Sequence, residues 1–229
     1  MMLQSRIFTF ISSIFFSSLL LTMPCQAQSE KKMIPLQKDS VAFFRGVAAM
    51  VDIVGPLQLA LGDYGQYEAG VRINLKDKFF PVAEIGYGKA DAEDAATRVS
   101  YKTNAPYGRI GMDFNLLKDK HSANRVYGGL RYAYTNYKFD IFCPGVTDPT
   151  WGESAEFKAN GVECYYHWLE FVFGLDTKIW GPVRLGWSAR YKRRLFHEEG
   201  GMGRSWYVPG FGKQGNARLG GTFNVIVEF

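Results

Sequence analysis

From residue 66 to residue 75 the chain alternates without a break. Tyr67, Ala69, Val71, Ile73 and Leu75 fall on one parity, and Gln66, Glu68, Gly70, Arg72 and Asn74 on the other. A period of two places successive side chains on opposite faces of a strand. The final stretch, 216–229, has the same period, and its apolar face runs through Phe223, Val225 and Val227 to the terminal Phe229. Similar alternation predicts strands over 79–89, 106–116, 125 to about 139, 165–178 and 183–193. Residues 41 to about 53 read as a first strand of ambiguous facing, because both parities are apolar. About eight strands result, each near or above the length that crosses a bilayer at a tilt.

The connections alternate in length. Segments 76–78, 118–124 and 180–182 are short, whereas 57–65, 90–104, 140–163 and 194–215 are long, the first with room for a helical turn after Gly55-Pro56. With an even strand count both termini lie on one side, and every short turn shares it. Short periplasmic turns and long extracellular loops make this asymmetry in transmembrane barrels. The pattern predicts an all-β fold: a single closed antiparallel transmembrane β-barrel over 41–229, apolar face to lipid and polar face to the lumen. Closure is required because hydrocarbon offers no partner to an open sheet edge.

The first residues change the compartment. Arg6, an apolar run from Ile7 to Met23 and a small-residue exit at Ala27 read as a secretory signal peptide over 1–27, followed by a polar periplasmic lead-in over 28–40. The formal net charge is +5, of which Arg6 leaves with the leader, too small an excess to imply a nucleic-acid partner. No stretch after the leader is long and apolar enough for a transmembrane helix. The aromatic content of 16% and the 25 glycines suit a barrel.

The terminal Phe229, the strand count and the loop asymmetry resemble the small eight-stranded outer-membrane barrels of Gram-negative bacteria, of the OmpA-barrel and OmpX type. The stretches Tyr107-Gly108-Arg109-Ile110-Gly111 and Trp180-Gly181-Pro182-Val183-Arg184-Leu185-Gly186-Trp187 are similar to an uncharacterised outer-membrane family of Bacteroidetes. The resemblance implies an outer-membrane location and an insertion signal, Phe223, Val225, Val227 and Phe229, read by the barrel assembly machinery. It specifies architecture and leaves activity open, since the superfold hosts adhesins, structural barrels and lipid enzymes.

An eight-stranded barrel is just wide enough inside for side chains to fill. The inward parity holds Glu68, Glu84, Asp113, Glu170, Asp176 and Glu228 with Arg72, Arg109, Arg131, Arg184, Arg190 and Arg218. Mixed charges in near balance are expected to lock into an ion network that plugs the lumen. Cys143 and Cys164 flank the long fifth connection in an oxidising compartment and are expected to form a disulfide, worth about 3 kcal/mol in the chain-entropy model. Lys192, Arg193 and Arg194, at the outer end of the seventh strand, are candidates for contact with lipopolysaccharide phosphates.

Candidate chemistry is sparse. Of the three histidines, His167 and His197 have carboxylates near in sequence, and a lipid acyltransferase or deacylase would need such a His with a serine. Asp91, Glu93 and Asp94 could hold a hard cation, with solvated loop charge as the plain alternative. Gly200 to Arg204 could form an anion nest or simply a loop. The sequence thus points to a monomeric outer-membrane barrel with a structural or surface-interaction role through its loops, without a cofactor. An outer-leaflet lipid-modifying enzyme and an exported soluble barrel carrying an apolar ligand are the alternatives.

Overall fold

A computed structural model describes residues 41–147, 154–198 and 205–229. The leader, the lead-in and the 200–204 glycine run lie outside them. Strand β1 (Phe44–Asp52) leads into helix α1 (Val54–Leu61), followed by β2 (Tyr64–Leu75), β3 (Phe79–Glu93), β4 (Ser100–Asn115), β5 (Asn124–Thr147), β6 (Ser154–Trp180) and β7 (Val183–Glu198). A short hairpin, β8 (Tyr207–Val208) and β9 (Gly212–Lys213), precedes the last strand, β10 (Ala217–Glu228). Eight strands close into a barrel in the order β1-β10-β7-β6-β5-β4-β3-β2, with antiparallel pairing throughout.

Closure joins β1 to β10 from Ala48↔Glu228 to Asp52↔Asn224. Below this seam the Val47 and Phe229 backbones exchange hydrogen bonds of 3.1 and 2.7 Å. The approach requires glycine at position 46, which has a φ of +131° and sits at a register shift. A Cβ there would come within 2.2 Å of the Phe229 carbonyl oxygen.

Along the lower barrel the exposed residues are apolar, among them Val71, Ile85, Ile110, Phe171 and Val225, while Arg72, Glu84, Arg109, Glu170 and Arg190 are buried inside. This is the transmembrane arrangement, with the polar face turned inward. Aromatic rings mark the two edges of the band: Phe79, Phe114, Trp180 and Phe229 below, and Tyr67, Tyr87, Tyr134 and Tyr165 above, all exposed.

Above the upper ring the polarity inverts while the parity continues. Inward positions become apolar, with Tyr101, Ala105, Tyr137 and Phe139 buried, and outward positions become polar, with Lys102, Asn104, Asn136 and Lys138 exposed. Two expected long connections are therefore largely strand. Of 90–104 only 94–99 lies between strands, and β5 and β6 extend far into 140–163, pairing as far as Thr147↔Ser154. At about 3.3 Å per residue and a tilt of about 40°, the 24-residue β5 rises about 60 Å, more than twice the ~25 Å apolar band. A wall of sheet stands above the membrane where loop was expected.

The expected disulfide is not present. Cys143 lies opposite Phe157, and Cys164 opposite Tyr137, so six to seven positions separate them along the same hairpin. That is about 20 Å, against the 4.4–6.8 Å between Cα atoms that a disulfide spans. Flanking a connection implies closeness only if 140–163 is loop; as paired strands it holds the two apart.

Candidate functional site

Buried side chains of the inward parity occupy the barrel interior at successive levels. At the periplasmic end Glu228, on β10, accepts from Arg125 at 2.8 Å and Arg184 at 3.3 Å. Beside it, in the β2–β3 turn, Asp77 accepts from Asn74 at 2.7 Å and lies 2.8 Å from His121 Nδ1 and 3.4 Å from Arg45 Nε. Burial raises the Asp77 carboxyl, but the hydrogen bonds from His121 and Asn74 and the charges of Arg45 and Arg125 outweigh it and hold the group below the usual carboxylate range.

One layer up, Asp176 bridges Arg72 at 2.8 Å and Arg184 at 2.7 Å, and Asp113 takes Arg131 at 3.0 Å. The centre belongs to Glu84. Its carboxylate is 2.6 Å from Arg131 Nη1, 2.9 Å from Arg190 Nη1 and 3.2 Å from Arg109 Nη1. Glu68 contacts Arg109 and Arg190, and accepts from the Tyr107 hydroxyl at 2.9 Å. Glu170 accepts from Trp168 Nε1 at 2.6 Å and lies 2.9 Å from Arg109 Nε. Arg109 Nε and Arg131 Nη1 are held by charge proximity without hydrogen-bond alignment.

Five carboxylates and five guanidiniums are thus buried together. Isolated, any one of them would be untenable in so dry a space; interlocked, they neutralise each other. The strands place them because inward positions two apart on neighbouring strands stack in register, as with Glu84↔Arg109 and Arg131↔Glu170.

Main chain enters the upper lumen. The segment 205–211 folds inward, with Ser205, Tyr207, Val208 and Phe211 buried among Tyr101, Tyr137, Tyr166 and Trp168. Tyr101 donates to the Tyr207 carbonyl at 2.9 Å, Tyr137 and Ser205 share a 2.6 Å bond, and Tyr166 donates to Gly215 O at 2.7 Å. At its tip Gly210, with a φ of +80°, packs against the Tyr107 ring, and its carbonyl accepts from Arg109 at 3.0 Å and Lys192 at 2.6 Å. The in-folded segment therefore rests on the ion network.

Eleven of the twelve inward charges named from the sequence take part in this network or in the Glu228 cluster beneath it. Arg218 does not: it is exposed at the mouth, bonded to the carbonyls of Lys213 and Gln214. The basic run at the end of β7 is divided by its parity. Lys192 points inward and is buried, because its parity is that of Arg190, and Arg194 bonds Asn216 and contacts His197; Arg193 alone of the three is outward and exposed. The in-folded segment was missed in sequence, where its glycines read as loop; the signal was its aromatic content, Trp206, Tyr207 and Phe211, too apolar for a solvated loop.

The outward faces carry little that suggests chemistry. His167 sits in the upper aromatic ring, 2.5 Å from the Tyr132 hydroxyl and packed against Tyr134 and Tyr165, and none of these recorded partners is a serine or a carboxylate. Asp91 pairs with Lys102 at 3.1 Å, and Asp94 caps its own turn through Ala96 and Thr97. Among the described residues no three ligand side chains cluster as a metal site.

A search of curated proteins gives no match. Among solved structures, the chain is similar to Ail, the attachment invasion locus protein of Yersinia pestis, at 10% identity over 80% of this chain and 98% of that one, with a TM-score of 0.40. It is also similar to a major outer membrane protein from Thermus thermophilus, at 15% identity, 80% and 98% coverage and a TM-score of 0.40. Neisserial surface protein A is 13% identical over 80% and 94%, with a TM-score of 0.39. The model of the family described as "Domain of unknown function (DUF6048)" matches residues 7–229, and the chain belongs to that family.

Proposed function

We propose that the chain is an exported, integral outer-membrane barrel with a sealed lumen, and that its role is structural or interactive, performed by the sheet that stands above the membrane. One observation carries this reading: the exposed surface is an apolar band between two aromatic rings, and the charges that a soluble protein would present to water are locked inside it. A soluble carrier of an apolar ligand would need the reverse, an apolar centre at the level where Glu84, Arg109 and Arg190 lie buried.

In this reading the side chains and the in-folded segment seal the lumen, which argues against solute transport as the role. Phe223, Val225, Val227 and Phe229 lie along the closing strand as the alternating signal that barrel assembly machinery reads, and outer-leaflet lipopolysaccharide is the environment of the upper ring. The protein works as a monomer in this account. Carbonate extraction of expressing cells should leave it in the membrane pellet, and unheated samples should migrate differently from boiled ones on a denaturing gel. Planar bilayers containing it should show no steady conductance. Release by carbonate into the soluble fraction would overturn the reading.

A further inference from the structure

The barrel wall is incomplete at one place. Strand β10 pairs with β7 along Ala217–Val227, but on its other side β1 reaches only Asn224 before the chain leaves as α1. The turn is fixed by Asp52, whose carboxylate accepts from Val54 N at 3.2 Å, Gly55 N at 2.8 Å and Phe223 N at 3.0 Å. Ile53 N donates to Phe223 O at 3.0 Å. The backbone groups of Leu219 and Gly221 point to the same side as those of Phe223, and among the described residues no strand pairs with them there. Gly221 stands about 18 Å above Glu228, within the ~25 Å band and toward its outer half. Unpaired sheet edge is costly against bare hydrocarbon.

A cavity of about 510 Å³ opens between α1 and this edge, and its floor reaches Arg109, Arg190 and Lys192. Its outer walls are apolar: Leu57, Leu61 and Leu219, of which Leu61 is 81% and Leu219 82% exposed. Lys192, Lys213 and Arg218 line its inner and upper parts, and no Asp or Glu lines it. Arg218 donates to Lys213 O and Gln214 O, and Lys213 lies over Tyr64 and Trp206, so these two have carbonyls or rings as partners; Lys192 donates to Gly210 O and Phe211 O and stands opposite Glu170 in the β6–β7 pairing. The two arginines of the floor are already neutralised by Glu68, Glu84 and Glu170.

We propose that this crevice is a lateral site for one phosphorylated lipid of the surrounding outer leaflet. An acyl chain lies along Leu57, Leu61 and Leu219, the phosphate meets Lys213, Arg218 and Lys192, and the headgroup satisfies the open edge at Leu219 and Gly221. The inference rests on the outer-membrane reading above, since the lipid enters sideways from the bilayer.

The full chain, refolded into phosphatidylcholine nanodiscs, is titrated with lipid A, with dephosphorylated lipid A and with inorganic phosphate, and retained molecules are counted by native mass spectrometry. Wild type should retain one lipid A and neither of the others. Lys213→Gln with Arg218→Gln, both exposed at the mouth, should weaken lipid A about tenfold, whereas Lys102→Gln with Lys138→Gln, on the opposite wall, should not. A third variant, Leu61→Glu, tests the acyl wall and should also weaken retention. Equal retention by wild type and the mouth variant, or displacement of lipid A by inorganic phosphate, overturns the site. Heat-modifiable mobility is read on every sample. Folded, inserted protein without selective retention sinks the lipid site alone, whereas wild-type protein that never inserts sinks the outer-membrane reading and the site with it.

Discussion

Replacing Glu84 by Gln tests the interior most severely. The carboxylate lies 2.6, 2.9 and 3.2 Å from three different guanidiniums, in a space with almost no water access. At an effective dielectric of about 20, each unit pair at ~4 Å is worth about 4 kcal/mol before desolvation is counted. The net cost of removing one partner of a buried pair is about 3–5 kcal/mol, because the charge left behind remains buried. Three guanidiniums are left short at once, so the loss should fall near the upper end, about 5 kcal/mol. The control is Asp91→Asn, which removes a pair with Lys102 at 3.1 Å where both side chains are more than half exposed, and should cost under about 1 kcal/mol. Both are measured by urea unfolding from phosphatidylcholine vesicles. A Glu84→Gln loss no larger than that of Asp91→Asn would refute the claim that the network holds the barrel together.

Gly46→Val should block closure at the Phe229 carbonyl, and the heat-modifiable form should be missing from the membrane fraction; normal mobility would contradict this. The Asp77 carboxyl is held below its ordinary value, so its ionised form contributes stability above the unfolded value, and that contribution is lost as pH falls through the folded one. The unfolding midpoints of wild type and Asp77→Asn should therefore differ at pH 7 and draw together as pH falls below the ordinary carboxylate range, and a gap independent of pH would contradict the assignment. Alkylation in denaturant without reductant should label both Cys143 and Cys164, as neither is bridged; labelling only after reduction would restore the disulfide. Gly210→Val, at a φ of +80° against the Tyr107 ring, should expel the in-folded segment and admit small sugars in liposome swelling, with wild type impermeable. Equal swelling rates would show that the segment does not seal the mouth.

The membrane-level strands were legible because one rule holds along them: polar inward, apolar outward, period two. Tyr67 to Leu75 obeys it without exception, Phe223 to Val227 breaks it at Ile226, which is apolar and buried inside, and inward charges such as Arg72 and Arg190 follow from parity alone. Legibility ends where water replaces lipid outside. There Tyr101, Tyr137 and Phe139 keep their inward parity while Lys102 and Lys138 turn polar outward, so a search for apolar residues facing lipid finds only loop. The expected pairing of Cys143 with Cys164 fails for the same reason, since both lie on these extended strands. Lys192 shares the parity of Arg190 and is buried, so of the basic run at the outer end of β7 only Arg193 faces outward and is exposed. The in-folded 205–211 segment could not be placed from local pattern, since its partners, Tyr101, Arg109 and Tyr137, lie from 68 to 106 residues away along the chain.

The central claim is that hydrocarbon surrounds the outward face. Single-cysteine spin labels at Ile85, Ile110, Phe171 and Val225, in a chain with Cys143 and Cys164 replaced by serine, measure it directly in vesicles. Each label should be more accessible to oxygen than to a water-soluble nickel reagent, with the contrast greatest at mid-band. Nickel accessibility exceeding that of oxygen at these four positions would contradict the account.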